Sequence, residues 1–329
     1  SALCACRAAT VTPTGNAAPA ATTTAPGGPP SPYRVVTEPG DGLGDLYALI
    51  SNAAVSIEVT MYELADSRAE ALLVAAAARR VTVRVILDRN REAGANQAAF
   101  TFLSTRGVQV RWAPPRFAAT HQKTIIVDGA TAAILTLNLT SRYYPTSRDF
   151  AVIDSAPADV AALHQVFEAD FAGTPITPSA RSAVVWSPGS QPALVALIGS
   201  ARSTVAVENE EMSAPDIVAA LAAAARRNVH VTVTMTDSTA WAAAFATLRA
   251  AGVDIGVYHG ETPIYIHAKV VAVDAATAGG HVFVGSENFT VASLAYNREA
   301  GIIVADRSVV TSVNATLGRD FAGATRWQP

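Results

Sequence analysis

Two histidines are each followed two residues later by a lysine and, five further on, by an aspartate: HQKTIIVDG at His121–Gly129 and IHAKVVAVD at Ile266–Asp274. Downstream of each lies an asparagine, Asn138 in LTLNLT and Asn288 in GSENFT, and then an acid, Asp149 in SRD and Glu299 in NRE. Cleavage of a phosphodiester asks for these groups. A neutral imidazole can attack phosphorus, a protonated one can give its proton to the leaving oxygen, and Lys and Asn can hold the charged phosphoryl oxygens. The carboxylates can accept from the far nitrogen of each imidazole, fixing its tautomer. Of the 24 basic residues only Lys123 and Lys269 are lysines. A chain that otherwise uses arginine has placed a compact, rotatable ammonium only beside the two histidines, which argues for a specific anion contact.

These groups need elements to position them, and the elements also come in pairs. LYALI at Leu46–Ile50 recurs as LVALI at Leu194–Ile198, and the stretch Glu70–Asp88 parallels Asp216–Asp237. Each long stretch reads as an Ala-rich helix, an Arg-Arg end and an alternating Val/Thr strand. Arg79-Arg80 and Arg226-Arg227 are expected as solvated helix ends complementing the dipole. Gly107 and Gly252 suit a helix C-terminal cap before the next strand. The apolar run after each lysine reads as a buried strand, which would place His121 with Lys123, and His267 with Lys269, on one face. The period is far longer than a solenoid repeat, so the expectation is two α/β halves meeting across a pseudo-twofold axis.

Half the 329 residues are hydrophobic, enough for a large core, and the net charge of −3 is no global nucleic-acid footprint. The two cysteines, Cys4 and Cys6, sit in the tail, leaving the body without a disulfide framework or a cysteine metal site. Leu3-Cys4-Ala5-Cys6 looks like the end of a bacterial lipoprotein signal, and a Thr/Pro/Ala/Gly run follows. The expectation is therefore a secreted or envelope-associated protein, with lipidation at Cys6 one alternative and a cloning remnant the other. The boundaries expected are a disordered leader over 1–32, an N-terminal lobe over 33–180 and a C-terminal lobe over 181–329. No apolar run reaches the length of a spanning helix.

HQKTIIVDG with TLNLT and SRD, and IHAKVVAVD with GSENFT and NRE, resemble the paired HKD motifs of the phospholipase D superfamily, over nearly everything from Tyr33 onward. The resemblance implies a phospholipase D-like α-β-α-β-α sandwich with one active site between two lobes, and no metal or other cofactor. It implies a phosphohistidine on one of the two histidines, His121 favoured, with the other acting as general acid and then base. It further implies crossed support, Glu299 for His121 and Asp149 for His267, and structural roles for Asp128 and Asp274. Thr136 and Ser286 take the small hydroxyl position of the pattern and are substrate-binding candidates. Leu135 departs from it, standing where the second half has Gly285, and a more crowded strand end is expected there.

Glu58, Glu63, Glu208, Glu210 and Glu211 look like metal-binding carboxylates at first sight. Glu63 and Glu211, however, are repeat partners sitting where a strand hands over to the loop before a helix, which favours a cap or loop role, and no metal is assigned. Among aromatics, Tyr143 and Tyr144, between Asn138 and Asp149, are the preferred lining of a substrate cleft. The activity expected is hydrolysis or transphosphatidylation of phospholipids to phosphatidic acid, by a monomer, with contact to a membrane surface left open. A secreted endonuclease of the same family would need Arg89, Arg91, Arg111, Arg116 and Arg142 gathered into one cleft. A cardiolipin-synthase-like phosphatidyl transfer is the third reading. A non-enzymatic binding module would be expected to have lost a His or Lys, and none is lost.

Overall fold

Alternating Val/Ile/Thr runs form strands and the alanine-rich runs between them form helices, in the same order twice. The computed structural model describes residues 30–260 and 263–328, so the leader over 1–29, with the export and lipid-anchor reading of Cys4 and Cys6, lies outside the described residues. The first half runs β1 (Tyr33–Glu38), α1 (Gly44–Ser51), β2 (Ser56–Met61), β3 (Leu64–Ala65), α2 (Ser67–Ala78), β4 (Thr82–Leu87), α3 (Ala93–Ser104) and β5 (Gln109–Trp112). It continues through β6 (Thr124–Val127), β7 (Thr131–Leu135), β8 (Leu139–Thr140), β9 (Ser147–Asp154) and α4 (Pro157–Ala172). The second half opens with β10 (Val184–Ser187), α5 (Gln191–Gly199), β11 (Thr204–Asn209), α6 (Pro215–Arg226), β12 (His230–Thr236), α7 (Ala242–Ala250) and β13 (Asp254–Tyr258). It closes with β14 (Tyr265–Ile266), β15 (Lys269–Val273), β16 (His281–Gly285), α8 (Val291–Ala295), β17 (Glu299–Val304), α9 (Arg307–Gly323) and β18 (Thr325–Arg326).

Each half folds its main strands into a mixed sheet, ordered β1-β9-β7-β6-β2-β4-β5 in the first and β10-β17-β16-β15-β11-β12-β13-β18 in the second. The parallel pairs β2·β4 and β4·β5 are joined through α2 and α3, and β11·β12 and β12·β13 through α6 and α7. Gly107 and Gly252 carry φ of +87° and +94°, the left-handed turn needed between helix and strand.

Three apolar clusters make the five layers. One packs α1, α2 and α3 on the outer face of the first sheet, and another packs α5, α6 and α7 on the outer face of the second. The third is shared between the lobes. It joins Val160, Leu163, Val166 and Phe167 of α4 and Val309, Val310, Val313 and Leu317 of α9 to Ile134 and Val152 of one sheet and Val282 and Ile302 of the other. With each buried side chain contributing about 1.5–3 kcal/mol, this middle layer holds the lobes together. Buried ion pairs cross it: Arg148 on β9 reaches Asp320 on α9 (2.5 and 3.0 Å), and Arg298 beside β17 reaches Asp170 on α4 (2.8 and 3.1 Å). Pro32–Pro329 accordingly form one compact unit. No described helix is long and apolar enough to cross a membrane.

Arg79-Arg80 and Arg226-Arg227 are exposed at the ends of α2 and α6, as expected, and two of them also make specific bonds: Arg79 donates to the carbonyls of Ser51 and Ala53, and Arg227 to those of Gly199 and Ala201. Each ties the end of α2 or α6 to the carbonyls that close the preceding helix, which have no partners within it.

Asp128 and Asp274 end β6 and β15 with φ of +55° and +48°. Asp128 accepts from the backbone N–H groups of Ala54, Val55 and Ser56, and Asp274 from those of Arg202, Ser203 and Thr204 and from the Ser203 hydroxyl. Burial alone would raise the Asp274 carboxyl, but these donors hold it at about 2. A group depressed in the folded state contributes stability above its unfolded value and loses it as pH falls through the folded one. Asp274→Ala removes the acceptor of three part-buried N–H groups and is expected to cost about 2 kcal/mol in urea unfolding at pH 7, with the difference from the parent shrinking below pH 4. A loss under about 0.5 kcal/mol, the range of an ordinary surface substitution, would contradict this role.

Candidate active site

The segments that carry the histidines leave their own sheets and attach to the opposite lobe. Thr120 bridges in parallel to Arg298, and the N–H groups of His121 and Gln122 both donate to the Arg298 carbonyl (2.9 Å each). In the other half, β14 pairs in parallel with β9, Ile266 opposite Arg148, and the His267 N–H donates to the Arg148 carbonyl (3.2 Å). Each histidine is thereby fixed one residue from the acid of the other half, Glu299 or Asp149. The exchange is reciprocal.

This docking changes the expected strand placement of His-x-Lys. β6 begins only at Thr124 and β15 at Lys269, because the preceding residues spend their backbone groups on the other lobe. The lysine tips turn back onto the histidine carbonyls. Lys123 Nζ donates to the His121 carbonyl (2.6 Å) and Lys269 Nζ to the His267 carbonyl (2.5 Å), and both side chains are fully buried.

His121 Nδ1 lies 2.8 Å from Glu299 Oε2 and 3.0 Å from the Ser286 carbonyl. Both partners only accept, so Nδ1 carries the proton and Nε2 keeps its lone pair. Burial pushes the His121 pKa down, further lowered by Lys123 and opposed by Glu299. That is the state of a nucleophile. Glu299, which burial would raise, is held below the usual carboxylate range by His121, Lys123 and the Ser286 hydroxyl. Its other oxygen accepts from Ser293 (2.7 Å) and Asn297 (3.0 Å).

His267 is surrounded differently. Its Nδ1 is 2.8 Å from Asp149 Oδ1 and its Nε2 is 3.5 Å from Glu210 Oε2, so both nitrogens face acceptors, and both can donate only from a ring with two protons. That placement of acceptors suits a general acid. Lys123 is pushed down to about 7 by burial and by the neighbouring Lys269 ammonium; a bound anion would restore its charge.

The two imidazoles share one cavity of about 360 Å³ with Asn138, Asp149 and Asn288 and with Tyr143 and Tyr144. Thr136 and Ser286, expected to touch substrate, do not. Both are fully buried and donate to the acids, Thr136 to Asp149 (2.6 Å) and Ser286 to Glu299 (2.7 Å), while each accepts a backbone N–H. A hydroxyl is needed there to orient a buried carboxylate, not to meet ligand.

Glu63 and Glu211 lie in loops, as expected, but cap no helix, and with Glu210 they line the cavity. α2 is capped by Asp66 instead. Tyr62, on the same wall as Tyr265, carries no motif of its own in the sequence, and Glu210 stands out there only as a carboxylate resembling a metal ligand. A signal existed, since Tyr62 and Glu210 precede the matched pair Glu63 and Glu211.

Gly285 is explained by packing. A Cβ there would stand 2.4 Å from a Glu287 carboxylate oxygen and 2.5 Å from the Gly301 Cα. In the first half Leu137 replaces the glutamate and Ala151 the second glycine, so Leu135 fits into the core. The expected crowding toward the substrate does not arise.

Tyr144 donates to Asp66 (2.8 Å), whereas Tyr143 is among the most exposed aromatics. Tyr143→Ala is expected to shift relative KM values among substrates severalfold with the melting temperature held within about 2 °C. Tyr144→Ala is expected to lower it by about 5 °C or more. Equal KM ratios in parent and Tyr143→Ala would remove Tyr143 from the substrate wall.

The sequence model of the family described as cardiolipin synthase, PLD-like domain, matches twice, over residues 46–171 and 194–321. Phosphatidylserine synthase from Haemophilus influenzae Rd KW20 is similar in structure, with a TM-score of 0.68 at 11% identity over 90% of this chain and 87% of that one. Polyphosphate kinase from Porphyromonas gingivalis gives 0.67 at 16% identity over 88% of this chain; the chain spans 50% of the kinase's length. Nuc, a phospholipase D family member from Salmonella typhimurium, is 25% identical over 44% of this chain and 97% of its own, with a TM-score of 0.40. No curated protein matches by sequence.

Proposed function

Because the chain belongs to the phospholipase D superfamily, as a two-copy member of the family of cardiolipin synthase, PLD-like domains, we propose that it cleaves phospholipid phosphodiesters through a phosphohistidine on His121. The observation that carries this reading is the unequal pair in one cavity, His121 with a free Nε2 lone pair and His267 with acceptors at both nitrogens. His121 Nε2 attacks phosphorus while His267 gives its proton to the leaving head-group oxygen, breaking that P–O bond. His267, now neutral, takes a proton from water or an alcohol, whose oxygen displaces His121. Water gives phosphatidic acid and an alcohol gives a new diester. Asn138, Asn288 and the lysines hold the phosphoryl charge.

A phospholipid is favoured over nucleic acid by the cavity wall, where the described lining includes Glu63, Glu210, Glu211 and four tyrosines and no arginine. Of the arginines a nuclease would gather, Arg111 is spent on the Phe171 carbonyl, Arg116 on Asp170 and Arg142 on Glu63 and Tyr143. A wall of carboxylates repels a polyanion. Both motifs in one chain supply a site without a second copy, which supports a monomer.

The test is product release from phosphatidylcholine, cardiolipin, plasmid DNA and bis-p-nitrophenyl phosphate, with and without a chelator. Phosphatidic acid from phosphatidylcholine in both conditions is the expected result. Plasmid cleavage without lipid turnover would overturn the substrate class, and loss of activity with chelator would overturn the metal-free mechanism.

A further inference from the structure

Neither lysine reaches the cavity surface, although each is placed to hold the phosphate. What stands in front of each differs between the halves. Tyr62 and Glu210 are repeat partners, spaced as Leu46 and Leu194 are. In the first half the Tyr62 ring covers Lys123, whose Nζ is 5.0 Å from the ring centroid, and meets His121 edge-on at 4.6 Å. In the second half a carboxylate takes that place. Glu210 Oε2 lies 3.0 Å from Lys269 Nζ, 3.2 Å from Asn288 Nδ2 and 3.5 Å from His267 Nε2, and Oε1 accepts from the Tyr265 hydroxyl (3.2 Å).

One carboxylate oxygen thus collects the Lys, Asn and His donors that a phosphoryl oxygen of the substrate would use. We infer that Glu210 is a resident counter-anion in the leaving-group half of the site, which the substrate's phosphate must displace, and that it determines specificity by disfavouring dianionic ligands. This rests on the phosphodiesterase reading and goes beyond it. Before substrate arrives, Glu210 compensates the Lys269 ammonium and stands 3.5 Å from His267 Nε2, on the side of the ring that faces the leaving group. On binding, one anion replaces another at Lys269 and Asn288. The displaced carboxylate remains on the cavity wall beside Glu211, held to the chain by the side chain's own length. A singly charged diester tolerates that neighbour, whereas a dianionic monoester or inorganic phosphate meets a second repulsion. The first half has no such carboxylate, since the Tyr62 ring offers only its π face to Lys123.

The test measures binding without turnover. Inorganic phosphate is titrated calorimetrically into the full chain at pH 7.5, for the parent, Glu210→Gln and Glu210→Asp. Glu210→Gln removes the competing charge and is expected to tighten phosphate about tenfold; Glu210→Asp, one methylene shorter, should tighten it severalfold and serves if the amide variant does not fold. For bis-p-nitrophenyl phosphate the expected gain in Glu210→Gln is smaller, and it is read as a fall in KM accompanied by a fall in kcat. Phosphate affinity equal to or weaker than the parent's in the folded variants would overturn the role of Glu210 while leaving the phosphodiesterase reading intact. Failure of all three proteins to bind phosphate or turn over any diester would overturn both.

Discussion

His121→Asn is expected to lower kcat by about 10⁴-fold or more on every diester the protein cleaves, with no phosphate trapped on the chain. Asparagine can place an amide N–H near the position of Nδ1, so the bond to Glu299 can persist while the attacking nitrogen is lost. His267→Asn should behave differently, although its steady-state kcat also falls by about 10²–10⁴-fold. p-Nitrophenolate leaves without a proton, so the first P–O bond can still break in this variant. Without His267 to take a proton from water, the second step stalls. The expected result with bis-p-nitrophenyl phosphate is a burst of one p-nitrophenol per chain and a phosphoryl group trapped on His121. A burst and a trapped group in His121→Asn would exchange the roles of the two histidines. Parent rates in either variant would end the catalytic assignment.

The polar pairs His121 and His267, Lys123 and Lys269, Asn138 and Asn288, and Asp149 and Glu299 were legible in the sequence because duplication repeats them, and strand and helix order was legible for the same reason. Periodicity carried α2 and β4 and their partners α6 and β12 with no help from tertiary context. The path of the backbone into each histidine was not legible. It depends on Thr120 bridging to Arg298 and on Ile266 pairing with β9, contacts with the opposite lobe that no local pattern encodes. With that crossing unseen, His-x-Lys looks like an ordinary strand, and the lysines look exposed beside the imidazoles.

Residues that break the repeat were harder to read than those that keep it. Glu287 stands opposite Leu137 and Glu210 opposite Tyr62, so neither has a matched partner to draw attention. Glu287 is buried with no hydrogen-bond partner on either carboxylate oxygen, and burial raises its pKa well above the usual range. Its carboxyl, with the Phe283 ring, explains the glycines at 285 and 301. Thr136 and Ser286 illustrate the opposite error. Their conservation between the halves reflects the need to hold Asp149 and Glu299, a structural demand just as symmetric as a catalytic one.

Glu299→Gln should lower kcat by about 10³–10⁴-fold although the side chain never meets substrate. All four of its close polar partners can donate: His121 Nδ1 and the Ser286 hydroxyl on one oxygen, the Ser293 hydroxyl and Asn297 amide on the other. An amide has one NH₂ to place among them. Turned toward His121, it donates to Nδ1, moves the ring proton to Nε2 and removes the attacking lone pair. Turned the other way, it confronts the Asn297 amide. The pH profile separates this from simple unfolding. Protonation of His121 removes the nucleophile, so kcat/KM falls as pH drops through its pKa, which burial sets below the ordinary value near 6.5. Glu299 raises that pKa and Lys123 lowers it, so the acid limb should move to lower pH in Glu299→Gln and to higher pH in Lys123→Met. Two displacements of opposite sign from two residues whose charges act on one imidazole are the signature of a titrating nucleophile; an acid limb at the parent position in both variants would mean that a different group controls the rate.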